Sequence, residues 1–177
     1  MAQAAQEGGA ATGRAARELI LDVHADARGD VRETYRESWA GAPVRQIVRS
    51  YSRAGTLRAM HAHKRQTDIW TFVGGRALVQ LYDHLTGYHR VLVLEQDMTL
   101  VIPPGIAHGF YALEECLLVY GLTEEYDGSD EYQFNAFDPA FPGAAVWPRW
   151  SPHARDGYIR SERDRSAPSL AEYAAAW

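Results

Sequence analysis

The sequence predicts an all-β protein made of two packed sheets, a sandwich or closed barrel. Short runs rich in Val, Ile, Tyr, Thr and Trp recur along the chain, and several alternate apolar with polar, the period of a half-buried strand. Turn signals separate these runs at intervals of roughly 8–12 residues. No helical period runs through the middle of the chain.

Taken in order, residues 1–16 are mostly Ala, Gly, Gln and Thr with almost no apolar anchors, and read as a disordered leader. Residues 17–177 then form a single domain, a length that suits one core. The candidate strands are 18–24, 32–37, 44–53, 57–61, 69–73, 77–83, 88–94, 99–102, 116–123 and 131–135. Between them lie Arg28-Gly29-Asp30, Ala54-Gly55, Gly74-Gly75, Thr86-Gly87, Pro103-Pro104-Gly105 and Asp127-Gly128, all turn chemistry. Asp138-Pro139, Phe141-Pro142 and Trp147-Pro148 make 136–160 irregular, yet its aromatics call for packing onto the barrel or onto a second subunit. The Ala-rich stretch within 169–177 is the one place that favours a helix.

Composition excludes several classes. With 18 Lys+Arg against 23 Asp+Glu the net charge is −5, which argues against a nucleic-acid partner. The single cysteine, Cys116, rules out an internal disulfide and a multi-cysteine zinc site, and its apolar surroundings predict a buried structural thiol. No apolar stretch approaches the ~20 residues of a membrane span, and no basic region followed by an apolar one marks a signal peptide. The expectation is a soluble cytoplasmic protein with no membrane partner.

Three of the seven histidines, His61, His63 and His108, fall where strands meet turns. Residues i and i+2 of a strand point to one face, so His61 and His63 share one, and His108 joins them if its segment lies alongside. Arg58 stands an odd number of positions from His61 and reaches the same pocket only through a bulge or another strand end. His24, His84, His89 and His153 show no partner pattern and read as surface residues.

Two segments resemble the paired motifs of the cupin superfamily. Gly55 to Gly75 is similar to Gly-x5-His-x-His-x3-4-Glu-x6-Gly, with Asp68 for the Glu, and Pro103, Gly105 and His108 match Pro-x-Gly-x2-His. The resemblance implies a jelly-roll, double-sheet β-barrel with the site in its mouth and a short helical or irregular C-terminal tail. More narrowly, the chain resembles the dTDP-4-keto-6-deoxysugar 3,5-epimerases. The matching segments are Asp26-Ala-Arg28-Gly29 with Glu33, Val44-Arg45-Gln46, Gly55-Thr-Leu57-Arg58-Ala-Met-His61, Ile102-Pro-Pro-Gly105-Ile-Ala-His108-Gly-Phe110, the tyrosines Tyr120 and Tyr126, Asp138-Pro139 with Trp147-Pro148, and Ser161-Glu-Arg163-Asp164 running to Pro168-Ser-Leu170.

That resemblance implies a homodimer made by strand exchange and a reaction by acid–base chemistry without cofactor or metal. Epimerisation beside a ketone needs a base to take the α-proton, a donor or cation for the enolate, and an acid on the opposite face. The resemblance assigns the base to His61 oriented by Asp164, and the acid to Tyr120. Arg28 and Arg58 would hold the diphosphate of a dTDP-linked sugar, with Arg28 serving the neighbour's site, and Glu33 and Gln46 would position sugar or base. His108 would be a pocket histidine.

There are departures. The family's lysine before the strand leading to the Gly-rich turn, thought to stabilise the enolate, is replaced by Asp68, and a carboxylate cannot do that work. His63 or Lys64 would then supply the charge. The stretch Arg58-Ala-Met-His61-Ala-His63-Lys64 also resembles the nucleotide-sugar 3,4-ketoisomerases, which act on the same substrate class. Read as ligands instead, His61, His63, Asp68 and His108 make an open site for Fe(II), Mn, Ni or Zn, and so a metal-dependent cupin. A non-catalytic sugar-binding cupin is the remaining alternative.

Overall fold

The computed structural model describes residues 15–96, 98–148 and 157–177. Twelve strands and three short helices follow one another as β1 (Arg17–Ile20), β2 (Val23–Asp26), β3 (Gly29–Arg32), α1 (Glu37–Ala40), β4 (Gln46–Ser52), β5 (Leu57–Ala62), β6 (Asp68–Gly74), β7 (Ala77–Asp83), β8 (Tyr88–Leu94), β9 (Met98–Ile102), β10 (Ala107–Ala112), β11 (Cys116–Leu122), β12 (Tyr132–Gln133), α2 (Glu162–Arg165) and α3 (Leu170–Ala176).

Two five-stranded antiparallel sheets carry the fold, one in the order β1-β9-β6-β11-β4 and the other β12-β5-β10-β7-β8. The core between them joins Trp70, Phe72, Leu100, Ile102 and Leu118 of the first sheet to Val79, Leu81 and Phe110 of the second. A second apolar cluster lies on the far side of the second sheet, where Leu57, Ala59, Tyr82 and Tyr111 meet Phe134, Phe141, Trp147, Tyr158, Leu170 and Tyr173. The second sheet is therefore covered on both faces, and β10 is buried at every residue instead of alternating. The first sheet keeps an open outer face, where Ile47 and Tyr51 of its edge strand β4 stand exposed.

This architecture accounts for several differences from the sequence expectations. β10 was not among the candidate strands: Ala-His-Gly-Phe-Tyr-Ala lacks both alternation and β-branched residues, and it is a strand because both of its faces are covered. The run 18–24 is broken at Leu21-Asp22 into β1 and the β2–β3 hairpin, and 32–37 is not a strand, since β3 ends at Arg32 and α1 begins at Glu37. Residues 1–14 of the expected leader lie outside the described residues, and Ala16, also read as leader, is buried in the core. His84 packs edge-on to Tyr173 and Trp177, and His89 bonds Gln80 at 2.8 Å, so neither is a free surface residue. His24 is exposed, and His153 lies outside the described residues.

The described parts of the irregular segment, 136–148 and 157–160, pack on the barrel, with Trp147 buried and its Nε1 donating to Ala136 O at 3.1 Å; Trp150 lies outside the described residues. The C-terminal helix forms as α3, its start fixed by a capping box between Ser169 and Glu172. Cys116 is buried, and burial pushes its thiol up to about 11, so it stays an inert thiol near neutrality.

One glycine sets the distance between the two strands that carry the histidines. A Cβ at Gly109 would stand 2.3 Å from Ala59 Cβ and 2.8 Å from Arg58 O, both on β5. Neither neighbour is a flexible side-chain end, so β5 and β10 can approach only over a glycine. Gly109→Ala is expected to destabilise the fold by about 3 kcal/mol or more. Urea unfolding measures it, and a loss below about 1 kcal/mol would show that the strands can separate freely.

Candidate active site

The inner faces of the two sheets and α2 enclose an open cavity of about 460 Å³. From the second sheet come Arg58, His61, His108 and Phe110, with His63 just beyond the end of β5; from the first come Gln46, Asp68, Trp70 and Tyr120; and from the C-terminal segment come Ser161, Arg163 and Asp164.

His61 and His108 are cross-strand partners on β5 and β10. The next pair is Phe110 with Arg58, so Ala59 and Met60 of β5 stand opposite Gly109 of β10 alone. This bulge turns Arg58 toward the side where His61 points, which an unbroken strand forbids by parity. Arg58 is held there by Nε donating to Ser52 Oγ at 3.1 Å.

His61 Nε2 lies 3.0 Å from Asp164 Oδ1. An ionised carboxylate only accepts, so the ring proton sits on Nε2 and leaves the Nδ1 lone pair free to act as a base. Asp164 is itself fixed: its N–H donates to Ser161 Oγ at 3.1 Å as the cap of α2, and the Ser161 hydroxyl donates back to Oδ2 at 2.8 Å. Burial opposes ionisation of Asp164, but the bonds from His61 and Ser161 outweigh it and hold the carboxyl below its ordinary range. Across the cavity, Tyr120 belongs to the other sheet. Burial, and then the charge of Asp68, raise its phenol above the usual value, so it carries its proton near neutrality.

Deeper in the wall, His63, Asp68 and His108 are all buried and form a second cluster. His63 Nδ1 lies 2.7 Å from Asp130 O, and His108 Nδ1 lies 2.9 Å from Ile106 O. Asp68 accepts from Gln66 Nε2 at 2.6 Å and from Trp70 Nε1 at 3.1 Å. Burial pushes the Asp68 carboxyl up, but His108, His63 and the Gln66 amide together bring it below its ordinary range.

Of the residues singled out from the sequence, the structure brings His61, Asp164, Tyr120, Gln46, Arg58, His63 and His108 to one cavity. Gln46 uses its Oε1 to accept from Tyr126 N at 2.7 Å. Three others stand elsewhere. Arg28, exposed at the turn of the β2–β3 hairpin, pairs with Asp26 at 2.6 Å. Glu33 pairs with Arg36 at 2.8 Å, also on the surface. Lys64 turns away, its Nζ 3.3 Å from Ala176 O and over the Tyr132 ring, because the end of α3 offers a carbonyl and the Trp177 ring and β12 offers the Tyr132 ring. The four-ligand grouping also separates: His61 is taken by Asp164, leaving His63, Asp68 and His108 together.

Sequence reasoning missed Gln66, Trp70, Ser161, Arg163 and Asp130. Trp70, at i+2 from Asp68, and Ser161, three residues before Asp164 as an N-cap, carried signals. Asp130 carried none. Its carboxylate accepts from the N–H groups of Lys64, Arg65 and Gln66, and its carbonyl holds His63, so it shapes the turn between β5 and β6.

Comparison with known proteins agrees with this arrangement. The dTDP-4-dehydrorhamnose 3,5-epimerase family profile matches residues 15–172. The dTDP-4-dehydrorhamnose 3,5-epimerase of Streptomyces griseus is 31% identical over 166 residues, covering 84% of this chain and 78% of the relative. The Mycobacterium tuberculosis rmlC epimerase structure superposes with a TM-score of 0.79 at 29% identity, covering 94% of this chain and 90% of that one. The Bacillus anthracis dTDP-4-dehydrorhamnose 3,5-epimerase, solved with TDP and PPi bound, gives 0.73 at 27% identity, covering 88% and 94%. The fold is the cupin barrel of these enzymes.

Proposed function

We propose that this chain, which belongs to the dTDP-4-dehydrorhamnose 3,5-epimerase family, inverts a carbon beside the ketone of a dTDP-linked 4-keto-6-deoxyhexose. One observation carries the reading: a histidine oriented by a buried aspartate on one sheet faces a protonated tyrosine on the other across a single cavity. A sugar ring between the sheets meets a base on one side and an acid on the other. His61 Nδ1 takes the proton from the carbon next to the ketone, and the electrons of that C–H bond move onto the ketone oxygen. The Tyr120 hydroxyl returns a proton to the carbon from the other face. Exchange with water restores both groups. Arg58 lies in the cavity wall for the diphosphate, where a guanidinium fork suits paired phosphate oxygens. The bound TDP and PPi of the Bacillus anthracis relative support a nucleotide diphosphate here.

Arg28 reaches substrate only if it serves a second copy. The β2–β3 hairpin is exposed at every residue but Arg32, and Ile47 and Tyr51 are exposed on edge strand β4. These features support the reading of a homodimer joined by strand exchange. Sedimentation at micromolar concentration is expected to give twice the chain mass, and a monomer would contradict it. Among the described residues no helix is long and apolar enough to cross a membrane, which is consistent with work in the cytoplasm.

The test is product analysis. Incubation with dTDP-4-keto-6-deoxyglucose, followed by NMR, is expected to show an inverted centre at C3 or C5 with the ketone still at C4. Recovery of a 3-keto sugar would assign the chain to keto migration instead, and unchanged substrate would overturn both readings.

A further inference from the structure

Taking a dTDP-linked 4-keto-6-deoxyhexose as the ligand, as read above, we propose that Gln66 selects it by accepting a hydrogen bond from its C2 or C3 hydroxyl. The direction of one amide leads to this assignment. Gln66 lies in the turn between β5 and β6, is buried, and lines the cavity. Its side-chain NH2 donates to Asp68 Oδ1 at 2.6 Å. A carboxylate oxygen accepts and does not donate, so the nitrogen branch of the amide faces Asp68 and the oxygen branch faces away from it. Oε1 makes no hydrogen bond among the described residues, and it is not sealed from open space either. The open space that Gln66 borders is the cavity.

This acceptor is held in place from both ends. The Gln66 N–H donates to Asp130 Oδ2 at 3.2 Å, and the same carboxylate takes the N–H groups of Lys64 and Arg65, each at 2.9 Å. The next N–H, of Thr67, donates to Thr123 Oγ1 at 2.9 Å. The far end of the side chain is tied to Asp68, which Trp70 Nε1 fixes in turn at 3.1 Å. A free glutamine gives up rotamer freedom when it binds a ligand. Here that ordering is complete in the folded chain, so a hydroxyl meets an acceptor already aimed.

A sugar hydroxyl that leaves water for the cavity needs a place for its hydrogen. Among the described residues the carboxylates of the cavity are engaged: Asp68 by Gln66 and Trp70, Asp164 by His61 and Ser161, and Glu131 by Arg163. Gln66 Oε1 is the open acceptor. In a dTDP-linked 4-keto-6-deoxyhexose C1 carries the diphosphate, C4 the ketone and C6 is a methyl group, so the ring hydroxyls are those at C2 and C3. A sugar with hydrogen in place of the bonded hydroxyl would leave Oε1 desolvated and unpaired, at a cost of about 10–100-fold in affinity.

Calorimetric titration with dTDP-6-deoxyglucose and its 2-deoxy and 3-deoxy analogues tests this; without a ketone none of the three is turned over. The wild type is expected to bind one analogue about 10–100-fold more weakly than the parent sugar, and that analogue names the hydroxyl. Gln66→Met, of similar length but without the acceptor, is expected to bind the parent sugar that much more weakly and the same analogue with unchanged affinity, so the discrimination disappears. Where Gln66→Met does not fold, Gln66→Asn, which draws the acceptor back by one methylene, carries the same comparison. Equal binding of all three sugars to the wild type would overturn the proposal. So would discrimination that survives in the variant with all three sugars weakened alike, the mark of a purely structural role. Either result leaves the epimerase reading intact. Folded wild type that binds none of the three would overturn the dTDP-sugar reading itself, and the assignment of Gln66 with it.

Discussion

Replacing His61 with asparagine is expected to lower kcat by about 10³-fold, with KM changed far less. Asparagine fills a similar volume and can still donate an N–H to Asp164, so the cavity and α2 keep their places. What it lacks is a basic nitrogen. The loss therefore reports the proton transfer alone, and an effect confined to KM would assign His61 to binding. A residual kcat within tenfold of wild type would remove His61 from the reaction, since a positioned base contributes at least about 10²-fold.

Asp164→Asn is expected to cost a similar factor, about 10²–10⁴ in kcat, by a different route. The amide can turn its own N–H toward Nε2 of His61. The ring proton then moves to Nδ1, the atom that must accept, and the base is lost with every heavy atom in place. Stability supplies a second readout. The folded Asp164 carboxyl lies below its ordinary value of 3.8. Its ionised form therefore stabilises the protein fully above that unfolded value, and the contribution disappears as pH falls through the lower folded value. The difference in urea midpoint between wild type and Asp164→Asn is expected to be largest near neutrality and to close in acid, as pH falls through the lowered folded value. A difference that widened with acid would contradict the carboxylate–imidazole pair.

Much of this site was legible in the sequence, because strand geometry fixes which side chains share a face. The parity argument for Arg58 went further, since it allowed Arg58 beside His61 only through a bulge or another strand end, and β5 carries the bulge. Contacts made across long stretches of chain were legible only through family resemblance. Asp164 meets His61 from 103 residues away, and no local pattern specifies that. Lys64 shows the opposite failure. Its position beside two histidines suggested a cavity charge, but the helix α3 ends close enough to capture it. β10 was hidden for a physical reason: a strand buried on both faces and held close to its neighbour by Gly109 shows neither alternation nor bulk.

The most direct test of the account is solvent deuterium uptake. The enzyme would be incubated in D2O with a dTDP-linked 4-keto-6-deoxyhexose, and the sugar carbons read by NMR. The account predicts deuterium at a carbon adjacent to the ketone, entering as fast as inversion proceeds and not entering with His61→Asn. Inversion without uptake of solvent deuterium, or uptake that survives in His61→Asn at the wild-type rate, would contradict it.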